Sequence, residues 1–351
     1  MKYNYIIALL CAATLLAGCK KDELSDTSVF SDNTFGSSIT DEAEFDNWLM
    51  KNYTNPYNIR FQYRYVDKES NMSYNVIPAE IGRAKALAKL VKHVWMDAYV
   101  EGVNKEFLCN YSFRVIQLIG SLQYSSNGEV VMGTAEGGIK VLLYGVNRLD
   151  TLNIRVNTSD PYMNKAELPL DLNYWFFHTM HHEFCHILTQ KKEYTTEFRA
   201  ISSGRYHASD WINVKDEDAP KEGFVTGYAS GEYNEDFAEL YANYVTLTAA
   251  GWQKILDKAV VYTYSYTNQG VPQTKETTTK MSDAEVENMR KNYPDFTLTK
   301  TDTYGLDIIN QKIEIVKDYF LTKWNIDLDN IRAIVTRRSE EASKLNLNVL
   351  D

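Results

Sequence analysis

The sequence contains the stretch YWFFHTMHHEFCHIL at residues 174–188, and no other part of the chain is as informative. Residues 172–190 are strongly apolar and predict one long helix. Within it, His182 and His186 are four positions apart, so they lie one turn apart on the same helix face. Both imidazole rings can therefore reach one metal ion, and Glu183 directly follows the first histidine.

This H-E-x-x-H pattern suits zinc chemistry. Zinc favours nitrogen ligands at about 2.0–2.1 Å, and a catalytic zinc site has three protein ligands and one open position. A carboxylate next to the first ligand can take a proton from a water whose pKa the metal lowers to about 7. We therefore predict that His182 and His186 bind one Zn²⁺ ion and that Glu183 is the catalytic base.

A third ligand is expected from a second predicted helix, residues 234–249, which begins with the letters NEDFAEL. Glu235 and Glu239 are four positions apart and share one face of this helix. One of them can bind the metal while the other holds the free ring nitrogen of a ligand histidine. Acidic residues also favour a helix N-terminus in the absence of any metal, and that alternative stays open.

His178 is a further candidate, because it lies four positions before His182 on the same stripe. Three histidines on successive turns of one straight helix cannot converge on one tetrahedral ion. We therefore favour for His178 a role in orienting a ligand or in packing. We interpret His181 as packed or capped. His207 is a weak substrate-binding candidate or a plain surface residue, and no role is assigned to His93.

The composition excludes several classes of protein. The chain has 351 residues, 44% of them hydrophobic and 24% charged, which is ordinary for a globular protein with a proper core. Lys and Arg number 37 against 47 Asp and Glu, which gives a formal net charge of −10. An acidic chain is poorly suited to neutralise phosphates, so we expect no nucleic acid partner.

The N-terminus predicts a targeting signal. The apolar run at residues 6–16 is too short to span a membrane and has the layout of a secretory signal. It ends in the letters LAGC at 16–19, which resemble the bacterial lipobox, where the cysteine is acylated. We predict a lipoprotein signal peptide at 1–18, a lipid on Cys19 and a flexible tether at 19–40. A plain signal peptide with an incidental cysteine is the alternative.

Two of the four cysteines stay available for other roles. Cys11 would leave with the signal peptide, and Cys19 would carry the lipid. Cys109 and Cys185 could pair in an oxidising compartment, but a packed free thiol is favoured for Cys185 because it lies inside the H-E-x-x-H helix.

The two motifs together resemble the glutamate zincins of the anthrax lethal factor type. In that family the first glutamate of an E-x-F-A-E segment is the third zinc ligand, and a tyrosine seven residues earlier points at the oxyanion of the substrate. The resemblance implies that Glu235 is the third ligand, in preference to Glu239, Asp236 or His178. It also implies that Tyr228 stabilises the oxyanion, and Glu239 is then placed to orient a ligand histidine.

The whole chain is similar to the zinc metallohydrolase lipoproteins of Bacteroidetes that are associated with TonB-dependent substrate import. They share the lipobox, the H-E-x-x-H helix and the E-D-F-A-E helix in a chain of this length. The resemblance implies an outer-membrane lipoprotein near import proteins. An acidic stretch soon after Cys19 favours the cell surface, with the periplasmic face as the alternative.

The fold class that follows is α+β: a zincin-like metallopeptidase domain over 41–351, with a small mixed sheet, the active-site helix and a mainly helical C-terminal half. The polar, irregular stretch 191–231 is too long for an ordinary connector, which predicts a functional loop. The Thr-rich polar stretch 267–279 is assigned neither a helix nor a strand. We predict strands at 59–65, 113–118 and 139–143, and helices at 41–52, 79–106, 172–190, 234–249 and 251–259, then at 282–292, 306–323 and 328–345 within a helical part of about 280–351.

The sequence therefore predicts a zinc-dependent hydrolase that cleaves peptides or proteins and is held at a membrane through Cys19. The rival hypothesis is a non-catalytic substrate-binding or assembly component of a TonB-dependent import system. Glu183 disfavours this rival, since a binding module has no use for a carboxylate base.

Overall fold

A computed structural model gives the fold of the chain and describes residues 41–65, 76–124, 130–131, 133–136, 139–165 and 167–350. The predicted signal peptide at 1–18, the predicted lipid on Cys19 and the predicted tether at 19–40 lie outside the described residues. The chain divides into two compact units, Met1–Glu44 and Phe45–Asp351. Among the described helices, none is both long and apolar enough to cross a membrane.

Helices alternate with short strands along the described residues. The α-helices are α1 (Asp41–Leu49), α2 (Asn55–Tyr57), α3 (Ile81–Val91), α4 (Asp97–Gly102), α5 (Lys105–Tyr111), α6 (His178–Lys191), α7 (Thr196–Ile201), α8 (Tyr233–Thr246), α9 (Ala249–Lys258), α10 (Asp283–Asn292), α11 (Tyr304–Trp324) and α12 (Leu328–Glu341). The strands are β1 (Arg60–Gln62), β2 (Val115–Leu118), β3 (Gln123–Tyr124), β4 (Val130–Val131), β5 (Gly133–Glu136), β6 (Lys140–Leu143), β7 (Val261–Asn268), β8 (Val271–Thr277) and β9 (Thr297–Asp302).

The small mixed sheet predicted for the first half is present and has the order β1-β2-β6-β5. Strands β1, β2 and β6 are parallel, with Phe61 opposite Ile116 and Ile116 opposite Val141. Strand β5 runs antiparallel to β6 and closes one edge. The last three residues of both β2 and β6 are buried, as is usual where parallel strands are covered on both faces. The predicted α+β fold class is confirmed.

The helix predicted over 79–106 is interrupted twice. Helix α3 passes into a π-helical turn at Lys92–Met96 and continues as α4. A new helix, α5, then begins because the side chain of Asn104 accepts a hydrogen bond from the backbone N–H of Phe107 at 2.8 Å. An Asn at this position satisfies a backbone donor that the helix itself cannot satisfy.

Helix α6 carries the H-E-x-x-H motif and follows directly from a π-helical turn at Asn173–Phe177. The buried carboxylate of Asp171 accepts hydrogen bonds from the backbone N–H groups of Asn173 and Tyr174, at 3.2 and 3.3 Å. This side chain therefore holds the start of the helical segment. Helix α6 packs against α8, which carries Glu235 and Glu239.

A buried ion pair joins α8 to α11. Lys312 Nζ lies 2.6 Å from Asp236 Oδ2, and both side chains are fully buried. The same ammonium group donates a hydrogen bond to the backbone carbonyl of Gly223 at 2.8 Å, and Tyr206 Oη donates one to Asp236 at 2.9 Å. The first turn of α8 is thus fixed both to α11 and to the loop that precedes it.

The predicted C-terminal half, described as mainly helical, also contains a three-stranded sheet that was not predicted. Strands β7 and β8 form an antiparallel hairpin, and β9 adds to the other edge of β7. Six of the eight residues of β7, VYTYSYTN, are β-branched or aromatic and have high strand propensity. The hairpin turns at Gln269 and Gly270, whose φ angles of 49° and 77° match the turns preferred in hairpins.

Candidate active site

Three predicted ligand atoms lie close together where α6 faces α8. His182 Nε2 lies 2.9 Å from Glu235 Oε2 and 3.0 Å from His186 Nε2, and His186 Nε2 lies 3.3 Å from the same carboxylate oxygen. The four-residue spacing on α6 brings the two rings together, with their centroids 4.7 Å apart. Helix α8 supplies the carboxylate from its first turn.

The chemistry and spacing of these donors fit zinc. Two imidazole nitrogens and one carboxylate oxygen form a common catalytic zinc ligand set. An ion with tetrahedral bonds of about 2.0–2.2 Å separates its ligand atoms by roughly 3.3–3.6 Å. The observed separations of 2.9–3.3 Å are only a few tenths of an ångström shorter. Small side-chain rotations would therefore admit the ion.

A second group of three potential ligands adjoins the first and shares His182. Among the described residues, His178, His182 and Glu239 also place one nitrogen or oxygen each within reach of a common ion. Glu239 Oε1 lies 2.8 Å from His178 Nε2 and 2.8 Å from His182 Nδ1. These separations equal ordinary hydrogen-bond lengths.

The carboxylate of Glu239 is already well supplied with hydrogen-bond donors. Its Oε2 accepts from Thr226 Oγ1 at 2.7 Å and from Asn243 Nδ2 at 3.4 Å, in addition to the two histidine contacts of Oε1. The residue is 4% exposed. A buried carboxylate with these partners can hold the ring of His182 in one orientation.

The charges at the site are strongly coupled. Burial lowers the pKa of His182, but the hydrogen bonds to Glu235 and Glu239 outweigh it and raise the pKa to about 10. Burial raises the pKa of Glu235, but His182 and His186 outweigh it and bring the value to about 2. The space between His182, His186 and Glu235 therefore favours positive charge.

A cavity of about 700 Å³ opens beside the site. Its lining among the described residues includes His178, His182, Glu183, Tyr228 and Glu239, and does not include His186 or Glu235. A volume in this range is typical of small-ligand and substrate pockets. The predicted base and the predicted oxyanion donor therefore face the same space, next to the first histidine of the motif.

Tyr228 stands at the edge of this cavity and is 40% exposed. Its ring centroid lies 5.7 Å from that of His182 and 5.0 Å from the ring of Trp211. Burial raises the pKa of Tyr228, and the carboxylates of Glu235, Glu239 and Glu183 raise it further. The hydroxyl group therefore keeps its proton and can act as a hydrogen-bond donor.

The predicted loop at 191–231 contains α7 and three short 3₁₀ turns, and the last turn, Tyr228–Ser230, carries Tyr228. Gly227 precedes it and must be glycine, because a Cβ atom there would lie 2.0 Å from the carbonyl oxygen of Val214. Its N–H donates to Asp216 Oδ1 at 2.9 Å. The turn that carries Tyr228 is therefore held against Val214 and Asp216, earlier in the same loop.

The other histidines have structural partners, and the two described cysteines are not paired with each other. His181 is fully buried, its Nδ1 lies 2.8 Å from Tyr99 Oη, and burial lowers its pKa to about 3. His207 Nε2 lies 2.8 Å from Glu222, and His93 Nε2 lies 3.3 Å from Glu341. Both Cys109 and Cys185 are free thiols.

Sequence reasoning missed two features of the site. Thr226 contacts Glu239 and accepts a hydrogen bond from the backbone N–H of Ala229. No motif in the sequence marks this threonine. Lys165 forms an ion pair with Asp216 across one wall of the cavity, and its ammonium lies 4.5 Å from the ring centroid of Tyr174. A contact between residues 51 positions apart leaves no local pattern.

Comparison with known proteins agrees with the geometry. The sequence matches the profile of a family described as "putative zinc-binding metallo-peptidase" over residues 38–329. A crystal structure of a "putative zinc-binding metallo-peptidase" from Bacteroides caccae is similar, with 32% sequence identity and a TM-score of 0.63, and the match covers 90% of this chain and 99% of that one. No curated protein matched the sequence. The chain belongs to the family of zinc-binding metallopeptidases that this profile defines.

Proposed function

We propose that the protein is a zinc-dependent peptidase of the glutamate-zincin type that binds one Zn²⁺ ion. One observation carries the proposal: His182 Nε2, His186 Nε2 and Glu235 Oε2 converge within 3.3 Å of one another beside a cavity lined by Glu183 and Tyr228. Membership of the zinc-binding metallopeptidase family supports it.

Of the two groups of potential ligands, we assign the metal to His182, His186 and Glu235. Glu239 already accepts four hydrogen bonds, two of them from donors that are not histidines, so binding an ion would cost it part of this network. Its contact with His182 Nδ1 leaves Nε2 of that ring directed at Glu235 and His186. A carboxylate that orients a ligand histidine in this way is common around zinc.

The side chains divide the reaction between them. A bound zinc ion supplies Lewis-acid chemistry, polarising a carbonyl group and lowering the pKa of water. Glu183, beside the first ligand, takes a proton from the attacking water and passes it to the leaving amine. Tyr228 keeps its proton and donates a hydrogen bond to the oxygen of the scissile carbonyl as negative charge develops there. The cavity holds the adjoining part of the peptide.

The location of the enzyme is part of the proposal. A lipid on Cys19 would anchor the protein at the outer membrane, on the cell surface or on the periplasmic face, near proteins of TonB-dependent import. Its support is the resemblance of residues 16–19 to a lipobox and of the whole chain to import-associated lipoproteins. Peptides or proteins would then be cleaved next to the transporter that takes up their fragments.

The test combines metal analysis of the purified protein with hydrolysis of casein and of a peptide library read by mass spectrometry. We expect about one zinc per chain and cleavage by the wild type, with both retained by the control Glu193→Gln on an exposed residue. Glu183→Gln should keep zinc but lose activity by about 10²–10⁴-fold, because the amide cannot accept the proton. Zinc-loaded wild type that binds peptides without cleaving them would instead support the non-catalytic binding component.

A further inference from the structure

Thr226 connects the loop that carries Tyr228 to Glu239 on α8, the carboxylate that contacts the predicted ligand His182. We propose that Thr226 is a positioning residue, whose hydroxyl group sets Tyr228 in place relative to His182. This inference rests on the proposed function, since it concerns how the oxyanion donor is aimed. Thr226 is among the residues that line the cavity, and its proposed role is to act through Glu239 and the Tyr228 turn, not on the reacting atoms.

The contacts form an unbroken path across the site. Thr226 Oγ1 accepts a hydrogen bond from the backbone N–H of Ala229 at 3.1 Å, which closes the turn containing Tyr228. The same hydroxyl donates to Glu239 Oε2 at 2.7 Å. The other oxygen of Glu239 lies 2.8 Å from His182 Nδ1. Three hydrogen bonds, which run through one hydroxyl group and one carboxylate, thus connect the Tyr228 turn to a predicted ligand.

The chemistry of a hydroxyl group is what this position requires. A hydroxyl has one proton to donate and lone pairs to accept, so it can bond the carboxylate and the Ala229 N–H at the same time. Valine has almost the same shape and can do neither. The other donor to Glu239 Oε2 is Asn243 at 3.4 Å, so removal of Thr226 would leave that buried oxygen with one long contact.

The main test is steady-state kinetics of Thr226→Val. We expect a lower kcat with KM and zinc content close to wild type, because a donor displaced by about 1 Å can cost about 10²-fold in rate. Thr226→Ser, which keeps the hydroxyl group, should restore most of the loss. Equal rates for the Val variant and the wild type would overturn the inference.

Thr248 offers a closely matched control. It also accepts a hydrogen bond from a backbone N–H three residues on, that of Gly251 at 3.2 Å, and donates to a carbonyl in another segment, that of Thr158 at 3.1 Å. Thr248→Val therefore removes the same kinds of bond away from Tyr228. It should lower stability as Thr226→Val does, while kcat stays near wild type. A similar loss of kcat in both variants would indicate a purely structural effect.

A double-mutant cycle asks whether Thr226 acts through Tyr228. If it does, Thr226→Val should cost about 10²-fold in the wild type and almost nothing in a Tyr228→Phe background, where the donor is already absent. Full additivity of the two losses would show that Thr226 acts elsewhere, for example through the ligand His182.

A measurement without activity separates this inference from the proposed function. Hydrogen–deuterium exchange of the metal-free protein should show faster exchange of the Ala229 amide in Thr226→Val and wild-type protection in Thr226→Ser. Unchanged protection in the Val variant would overturn the inference whether or not the enzyme cleaves peptides. Faster exchange in a protein that hydrolyses nothing would instead count against the proposed function alone.

Discussion

At the scale of single residues, the two glutamates of α8 differ in what surrounds them. Glu235 Oε2 faces two imidazole nitrogens, at 2.9 and 3.3 Å. Glu239, one turn further on, is buried and accepts hydrogen bonds on both oxygens. The spacing of four residues puts both on one face, and their partners then give them different roles.

The first prediction concerns the third ligand. Glu235→Ala should purify nearly free of zinc, because a ligand is lost. Glu239→Ala should still take up zinc when it is supplied, with affinity reduced by about 10–100-fold, as expected for a residue that only orients a ligand. Metal analysis and zinc titration of the two variants would check this, with Glu287→Ala on an exposed ion pair as the control. The reverse order would make Glu239 the ligand.

A second prediction at this scale concerns His207, whose pKa is raised chiefly by its hydrogen bond to Glu222. A raised pKa in the folded state means that the pair stabilises the protein below the unfolded pKa of about 6.5. That contribution disappears as the pH rises through the folded pKa. Glu222→Gln should therefore lower the Tm of the metal-free protein more at pH 6 than at pH 9. A difference that grows with pH would contradict this sign.

At the scale of elements, the helices that carry the site and the existence of the loop between them were predictable, but the contacts that the loop makes were not. A four-residue spacing is local, so the sequence of α6 and α8 alone places His182 beside His186 and Glu235 beside Glu239. The contact of Thr226 with Glu239 joins a loop to a helix and depends on how both are packed. Hairpin β7–β8 was not predicted, since no element was assigned to the Thr-rich stretch 267–279, although threonine favours strands.

The third prediction tests how α8 is held against α11. Removing one partner of a buried ion pair leaves an uncompensated charge, so Lys312→Met should lower the free energy of unfolding by roughly 3–5 kcal/mol. The double variant Asp236→Asn/Lys312→Met should recover much of this loss, since no charge is then left buried. Urea denaturation of the metal-free proteins would measure both effects.

The exposed pair of Lys291 and Glu287 on α10 gives the control for this prediction, because both side chains are 70% exposed. Lys291→Met should change the free energy of unfolding by less than about 0.5 kcal/mol. If Lys312→Met proves equally mild, or if the double variant is much less stable than Lys312→Met, the ion pair does not hold α8 in the way proposed.

At the scale of the whole molecule, the site is assembled from segments far apart in sequence. The residues that line the cavity extend in sequence from Val130 to Leu247. The ion pair of Lys165 and Asp216 joins the segment before α6 to the loop before α8. Family membership is shown by the profile match over residues 38–329 and by the similar crystal structure. The predicted location of the protein depends instead on residues 16–19, which lie outside the described residues.

The fourth prediction concerns that location. The formal net charge of −10 gives the chain no electrostatic attraction to anionic lipids, so a lipid on Cys19 would have to supply the membrane affinity. In the native host, the wild type should stay in the membrane fraction after a high-salt wash, and its N-terminal peptide should carry acyl chains on Cys19 by mass spectrometry. Cys19→Ala should be released, whereas Cys109→Ala, which alters a free thiol of the folded domain, should stay bound. A Cys19→Ala protein that remains in the membrane fraction, or a wild type with an unmodified N-terminus, would show that the chain is held by other contacts and that residues 16–19 are not a lipobox.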